Sequence, residues 1–291
     1  MARLTTQEIS LQKRELVKRK RDLTKGKLIV FAALAVALLV VAVFGQWMTP
    51  CDPYSQNLSQ SLAAPSAEHW LGCDKYGRDL LSRVIIGAQT TVFSALVLVA
   101  GITILGTVVG VIAGYVGGWL DNVMMRFSEM ILSFPSLVLA MIINAVMGSS
   151  LFNTMFALVI VSWPTYARLM RSVVLSVKEN EYVVASEAMG ASKLRILMLE
   201  IIPNSISSVL IMATTDVGNK ILMFSTLSFL GLGSAPPTPE WGMMVSDGVN
   251  NFSKFWIAGF PGLAIFTMAV GANFIGDGLR DLLDPKLRTQ F

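Results

Sequence analysis

The sequence predicts an all-α protein that crosses a membrane several times. Of its 291 residues, 54% are hydrophobic and only 14% are charged, whereas a soluble domain carries about 25% charged residues. Several apolar runs approach or exceed the length of about 20 residues that one helix needs to cross a bilayer core. The basic residues cluster beside these runs, as membrane topology requires, so the net charge of +4 does not indicate nucleic-acid binding.

Six transmembrane helices are predicted in order along the chain. A basic segment at residues 1–27 precedes a first anchor at 28–48, and no cleavage site of small residues follows that anchor. A polar loop at 49–90 is extracytoplasmic, a membrane core covers 91–278, and a short tail covers 279–291. The five further spans are predicted at Thr91–Tyr115, Arg126–Val146, Leu151–Ala167, Ser205–Leu230 and Phe255–Ile275.

Three local features refine these elements. Asp79 is expected to cap a short extracytoplasmic helix, since aspartate accepts hydrogen bonds from the first free backbone amides. Pro135 and Pro164 are expected to kink the third and fourth spans. Arg126 and Glu129, three residues apart, are expected to pair at the cytoplasmic end of the third span.

The distribution of lysine and arginine sets the orientation. With the N-terminus inside, eighteen of these residues fall in cytoplasmic segments and four in outside loops. Such a bias predicts that both termini are cytoplasmic and that the protein is a multi-pass component of the inner or plasma membrane. The loop at 168–204 is then cytoplasmic.

Within that loop, the sequence predicts two short helices separated by a bend at Gly190. The second helical stretch, Leu194–Ile202, is expected to stop at Pro203, because proline cannot donate the next helical hydrogen bond. Such a pair can insert into a groove on a partner protein. It can equally lie on the lipid surface as an amphipathic linker, and periodicity alone does not separate the two.

Four segments in order resemble the permease subunits of bacterial ABC importers. The loop segment YVVASEAMGAS, closed by IIPN, is similar to their EAA loop, and the extracytoplasmic LGCDKYGRDLLSR is similar to another family motif. Two later motifs agree. The four segments are Leu71–Arg83, Tyr182–Asn204, Phe229–Gly242 and Gly276–Pro285. Together they indicate the second permease subunit of the dipeptide, oligopeptide and nickel branch, with a type I importer fold.

The resemblance implies partners and a coupling site. Its implied partners are a homologous second permease, two ABC ATPase subunits and an extracytoplasmic solute-binding protein. The EAA loop would contact an ATPase, but Val184 and Ser186 replace the family's glutamate and second alanine. Docking is therefore expected to depend on shape, without an anchoring salt bridge at position 184. The implied coupling residues are Glu181, Tyr182, Ala185, Ser186, Gly190, Ala191, Pro203 and Asn204.

The chain is expected to have no catalytic site and no cofactor of its own. No G-x-x-x-x-G-K-[ST] motif occurs, so ATP and magnesium are expected on the partner subunits. His69 is the only histidine, and the two cysteines are far apart in the chain. We therefore predict neither a metal centre nor a Ser/His/Asp triad. Cys51 and Cys73 lie in the same outside loop, where they would be able to form a disulfide or remain free thiols.

Asp216, Asn219 and Lys220 are polar residues in the fifth predicted span. Asp216 and Lys220 are four residues apart and share a helix face, so they are expected to pair or to face a polar cavity. They border the solute pathway or form a purely structural pair.

An ion-gradient-driven secondary transporter is the alternative function. The resemblance implies a peptide, nickel or a metal chelate as the solute, and Ser162–Trp163 and Thr215–Gly218 look closer to the members that carry nickel or a metal chelate.

Overall fold

The computed structural model describes the chain from the end of the first predicted anchor onward. The residues described are Ala33, Val36, Ala37 and 39–283. The basic segment 1–27 and most of the tail 279–291 lie outside them, and so do residues 28–32, 34, 35 and 38 of the anchor 28–48. The cytoplasmic position of both termini therefore stays a prediction.

The described part of the chain is built from α-helices. A short 3₁₀ helix occupies Leu58–Gln60, and the described residues contain an isolated β-bridge but no strand. A five-residue π-helical segment, Leu197–Ile201, joins two of the helices. The helices are α1 (Leu39–Met48), α2 (Leu80–Val116), α3 (Gly118–Leu132), α4 (Ser136–Met147), α5 (Leu151–Lys178), α6 (Glu181–Ala188), α7 (Lys193–Ile196), α8 (Ile202–Phe229), α9 (Trp241–Val249) and α10 (Phe255–Leu283).

Three of these helices are long and apolar enough to cross a membrane, and a fourth crossing results if the bent pair α3 and α4 counts as one. The three are α2, the continuous helix Lys193–Phe229 and the stretch Phe255–Gly278 of α10. Within the described residues, α5 is long enough to cross a membrane but too polar to be counted among these spans. The helical, multi-span character of the prediction is thus confirmed, and the number of six spans stays a prediction.

The helix predicted at Asp79 is not a separate short one. The Asp79 carboxylate accepts a hydrogen bond from the Ser82 amide, as predicted for a cap, but the helix it begins runs 37 residues to Val116. The helix thus begins at Leu80, before the predicted span start at Thr91, and the point at which it enters the membrane stays a prediction. The polar residues of 80–90 were assigned to a loop, whereas they form the first turns of this helix.

The third predicted span, Arg126–Val146, is divided between two helices, and whether they form one bent crossing stays a prediction. The chain bends by 91° between α3 and α4, at residues 133–135. Pro135 has no amide hydrogen to continue the helix, and its ring disfavours helical geometry at the preceding residue. A proline that was expected to kink the span separates it into two helices.

Pro203 does not stop a helix, contrary to the prediction. The helix continues from Lys193 to Phe229 through the π-helical segment that directly precedes the proline. In a π turn the hydrogen bonds are one residue longer, which lets the chain absorb the bond that proline cannot donate. The loop predicted at 168–204 is therefore joined to α8 without a break.

Close helix packing places the polar groups of the core. Gly106, Gly110 and Gly114 lie on one face of α2, and a Cβ on any of them would come within 2.4–3.0 Å of α5. Small residues at this spacing allow two helix backbones to approach closely in a membrane. This contact holds Tyr166 of α5, which is only 1% exposed, against α2.

Candidate functional site

The coupling segment, residues 181–196, leaves the helix bundle at the end of α5. Asn180 precedes α6 in an extended conformation, and α6 ends after two turns at Ala188. Gly190 follows with φ of +84°, a conformation that residues with a side chain rarely adopt. The Gly190 amide donates to the Glu187 carbonyl and the Ala191 amide to the Ser186 carbonyl, which is the Schellman arrangement of a helix end. The predicted bend at Gly190 is confirmed.

Most side chains of the coupling segment face outward. Val183 is the only buried residue of α6, at 3% exposure, and it joins the hydrophobic core. The neighbouring Val184 is 54% exposed, and Met189 is 80% exposed. Further exposed apolar side chains are Tyr182 and Leu194. A short helix attached through one buried residue, with apolar groups outside, is suited to contact another protein.

A small set of contacts ties the coupling segment to the bundle. The Tyr115 hydroxyl, at the end of α2, donates to the Lys193 carbonyl at 2.7 Å. The Lys178 ammonium donates to the Tyr115 carbonyl at 3.2 Å and lies 5.7 Å from the centre of its ring. The start of α7 is therefore held by the ends of α2 and α5. Sequence analysis missed Tyr115 and Val183, because nothing in the local pattern separates them from other apolar residues.

The predicted coupling residues do not all lie together. Pro203 and Asn204 belong to the first turn of α8, where the Asn204 amide group donates to the Glu200 carbonyl at 2.5 Å. Ser186 and Ala191 are half-buried. The remaining four are exposed on α6 or at its end: Glu181, Tyr182, Ala185 and Gly190.

A polar cluster connects α5 and α8 inside the bundle. The Lys220 ammonium lies 3.2 Å from an oxygen of Asp216, so the predicted pairing of these two residues is confirmed. The Tyr166 hydroxyl donates to Asp216 at 3.1 Å, and Lys220 also donates to the Ser162 hydroxyl at 3.3 Å. Every charge in the cluster is thus hydrogen-bonded, as a low-dielectric site requires. Asn219 donates to Asp216 at 3.3 Å and is itself exposed.

A second ion pair ties α3 to α5. Two nitrogens of the Arg171 guanidinium lie 2.5 and 2.6 Å from the two oxygens of Asp121, a bidentate geometry that fixes both side chains. The predicted pair of Arg126 and Glu129 is present at 3.5 Å, but both side chains are largely exposed. Exposed pairs contribute about 0–1 kcal/mol, so the unpredicted pair is the stronger tie.

At the end of the bundle that is predicted to face outward, buried charges organise a region formed by residues 51–83 and 234–247, which we call the outer cap. Asp74 lies 2.7 Å from Arg78 and 3.3 Å from Arg83, and all three are at most 5% exposed. Glu240 is fully buried and accepts from the first backbone amides of α9 and from Thr91 of α2. Glu240 therefore joins the cap to α2 and α9 by hydrogen bonds.

The two cysteines lie within this cap. Both are free thiols in the structure, Cys73 buried and Cys51 half-buried. Burial, followed by nearby Asp79 and Asp74, raises the pKa of the Cys73 thiol to about 11. Cys73 is therefore a poor nucleophile at neutral pH. The disulfide between them stays a prediction.

Comparison with known proteins relates this sequence to membrane transport systems. Residues 106–289 match the family model described as binding-protein-dependent transport system inner membrane component. The chain is 43% identical over 256 residues to a probable D,D-dipeptide transport system permease protein, DdpC, of Escherichia coli K12; the match covers 88% of this chain and 86% of the relative.

Two further relatives have similar coverage. The dipeptide transport system permease protein DppC of Alkalihalophilus pseudofirmus is 40% identical over 271 residues, which is 92% of this chain and 89% of the relative. The glutathione transport system permease protein GsiD of Escherichia coli O6:K15:H31 is 39% identical over 262 residues, 88% of this chain and 86% of the relative. The matched stretch of the family model includes the coupling segment and the polar cluster.

Proposed function

Because the chain belongs to the family of binding-protein-dependent transport system inner membrane components and is a permease subunit of an ABC importer, we propose that it carries a short peptide across the membrane. The ATP is hydrolysed on separate subunits, which act on this chain through the coupling segment. A homologous permease supplies the other half of the solute pathway. The ion-gradient alternative is disfavoured by the family match.

The observation that carries this proposal is the exposed position of α6. Its eight residues place apolar side chains outside the bundle while Val183 holds them at a defined point. Exposed apolar groups such as Met189 lie where the Lys and Arg bias predicts cytoplasm. An ATPase that buries these groups on docking gains hydrophobic contact area, without needing the glutamate that Val184 replaces.

Movement of the coupling segment has a continuous route into the membrane core. The segment α7 continues through the π-helical residues into α8, and the contact of Tyr115 with Lys193 connects it to α2. The helix α8 carries Asp216 and Lys220, which bind α5 through Tyr166 and Ser162. A displacement of α6 by closing ATPases would therefore shift α2, α5 and α8 together and change the populations of inward-open and outward-open states.

The outer cap is proposed as the face that receives the solute. A soluble binding protein would dock there and release its solute toward the pathway, where Asp216, Asn219 and Lys220 supply polar contacts. The named relatives are described as dipeptide, D,D-dipeptide and glutathione systems, and on this ground we propose a peptide. Nickel or a metal chelate as solute has no such support.

The test is retention of the ATPase subunits on the permease. Gly190→Pro removes the hydrogen bond that the Gly190 amide donates to the Glu187 carbonyl and forces φ from +84° to about −65°, so the end of α6 must rearrange. Glu181→Lys reverses a charge on the exposed face. We expect both variants to reach the membrane at normal levels but to retain at least about tenfold less ATPase after affinity purification, a loss of about 1.4 kcal/mol in binding.

Gly148→Pro is the matched control. Gly148 resembles Gly190 in two respects: its φ is +88°, and no atom lies within 4 Å of a Cβ added to it. It differs in position, because it lies in the turn between α4 and α5. The two substitutions impose similar backbone strain at opposite ends of the bundle. Equal ATPase retention by Gly190→Pro and Gly148→Pro would contradict the docking proposal.

A further inference from the structure

Three metal-ligating side chains meet in the outer cap. Cys51, His69 and Asp79 are distant in sequence, but their donor atoms all lie within 4.8 Å of one another. Sequence analysis predicted no metal centre because no ligand motif of usual spacing exists. The fold creates this cluster by placing the chain that follows α1 and the loop around His69 against the first turn of α2.

Hydrogen bonds around the cluster orient the imidazole of His69. The Asn57 side-chain oxygen accepts from the Ser59 amide at 3.2 Å and from its hydroxyl at 2.6 Å, so the Asn57 amide nitrogen points to the Gln60 side-chain oxygen. Gln60 therefore presents that oxygen, an acceptor, to Nε2 of His69 at 3.1 Å. Nε2 must carry a hydrogen.

The other ring nitrogen, Nδ1, faces a carboxylate. It lies 3.0 Å from Oδ1 of Asp79, whose second oxygen accepts from the amide and hydroxyl of Ser82. With a hydrogen on Nε2, neutral imidazole directs a lone pair at an oxygen that also bears lone pairs. A second proton or a metal ion between the two atoms resolves this conflict. A histidine that donates its outer nitrogen to a carbonyl and directs the inner one to a metal is the usual ligand arrangement.

Cys51 supplies the third donor. Its amide donates to the Ser82 hydroxyl at 3.1 Å, which holds the residue beside Asp79. The carboxylates of Asp79 and Glu68 make the surroundings of the sulfur negatively charged. The nearby Arg78 and Arg83 are paired with Asp74. A divalent cation would offset the negative charge and favour the thiolate.

We propose that the outer cap binds one borderline divalent cation, with zinc as the type ion, through Cys51 Sγ, His69 Nδ1 and a carboxylate oxygen of Asp79. Thiolate, imidazole and carboxylate together are a ligand set that zinc prefers. Three protein ligands leave a fourth position for water. Cys51 and His69 are partly accessible, which gives an ion a path to the cluster. The ion would link the segment that follows α1 to the start of α2.

The proposal is tested on the intact importer in lipid nanodiscs, stripped with a chelator and then titrated with buffered Zn²⁺. Bound zinc is counted by plasma mass spectrometry, and alkylation of Cys51 is followed on its own peptide. We expect one zinc per permease and at least about tenfold slower alkylation of Cys51 when zinc is saturating, because a metal-bound thiolate is protected. Cys51→Ser and His69→Asn should each weaken zinc binding by about tenfold or more.

Cys73→Ser is the control, because Cys73 is the chain's only other cysteine and lies outside the cluster. It should leave zinc binding unchanged. Asp79 is left intact because it caps α2. Equal zinc uptake by wild type and Cys51→Ser, or alkylation of Cys51 that zinc does not slow, would overturn the proposal. Neither readout depends on transport or on ATPase docking.

Discussion

The outer cap and the coupling segment differ in how their side chains are buried and paired. In the cap, Asp74, Arg78 and Arg83 are at most 5% exposed and bind one another. In the coupling segment, one residue of α6 is buried, and apolar side chains such as Met189 face outward. The buried charges of the cap are paired within this chain, whereas the coupling segment leaves contacts for another protein to make.

This difference separates two ways of building an interface. A region with satisfied internal bonds keeps its shape whether or not a partner is bound, which suits a surface that must recognise a solute carrier. A region held by few contacts opens or moves at low cost, and elements that transmit motion are drawn from such regions. Substitutions should therefore affect stability in the cap and association in the coupling segment.

The largest effect is expected at Asp74. Asp74→Ala leaves Arg78 and Arg83 buried without their carboxylate, and breaking such a buried pair costs about 3–5 kcal/mol. We expect a strong fall in the thermal midpoint of the permease in detergent. Lys75→Ala is the control: its pair with Asp247 is partly exposed, and its loss should cost about 0–1 kcal/mol. Equal midpoints for the two variants would contradict a rigid cap.

An intermediate effect is expected in the polar cluster between the two regions. Asp216→Asn leaves the Lys220 ammonium in the bundle without a counter-charge, at a cost of about 2.5–3.5 kcal/mol. Adding Lys220→Met should recover part of the lost stability. Transport by the double variant separates the two roles, since a pathway residue predicts slow transport even when stability recovers. Wild-type transport by the double variant would assign the pair a structural role only.

The smallest stability effects are expected within α6, where two neighbouring valines differ. Val183→Ala removes buried methyl groups and should lower the free energy of unfolding by about 1.5 kcal/mol. Val184→Ala removes exposed ones, should change stability by less than about 0.5 kcal/mol, and should instead weaken ATPase association. Thermal midpoints and co-purification measure the two quantities. The opposite assignment of effects would show that α6 is oriented differently.

Much of the fold and part of the candidate site were predictable from the sequence. Apolar runs identified the helical membrane core, the motifs identified the family, and the spacing of Asp216 and Lys220 predicted their pairing. The bend at Gly190 was predictable because glycine is the residue that ends helices with positive φ. These features depend on local periodicity or on residues close in sequence.

The features that sequence analysis missed depend on long-range packing. Whether a proline kinks, breaks or continues a helix depends on its neighbours: Pro135 separates α3 from α4, while Pro203 follows a π-helical segment and continues the helix. The pair of Asp121 and Arg171 joins residues 50 positions apart. The cluster of Cys51, His69 and Asp79 likewise has no local pattern, because three separate segments form it.

The most direct test of the coupling proposal is amide hydrogen exchange of the permease in nanodiscs, with and without its ATPase subunits. We predict that peptides covering residues 181–196 exchange quickly alone and slow by at least about tenfold when the ATPases bind, because docking orders the segment. Peptides of the outer cap around residues 69–83 should exchange slowly in both states. Unchanged exchange at residues 181–196 in a complex that retains its ATPases would contradict the assignment of this segment as the docking site.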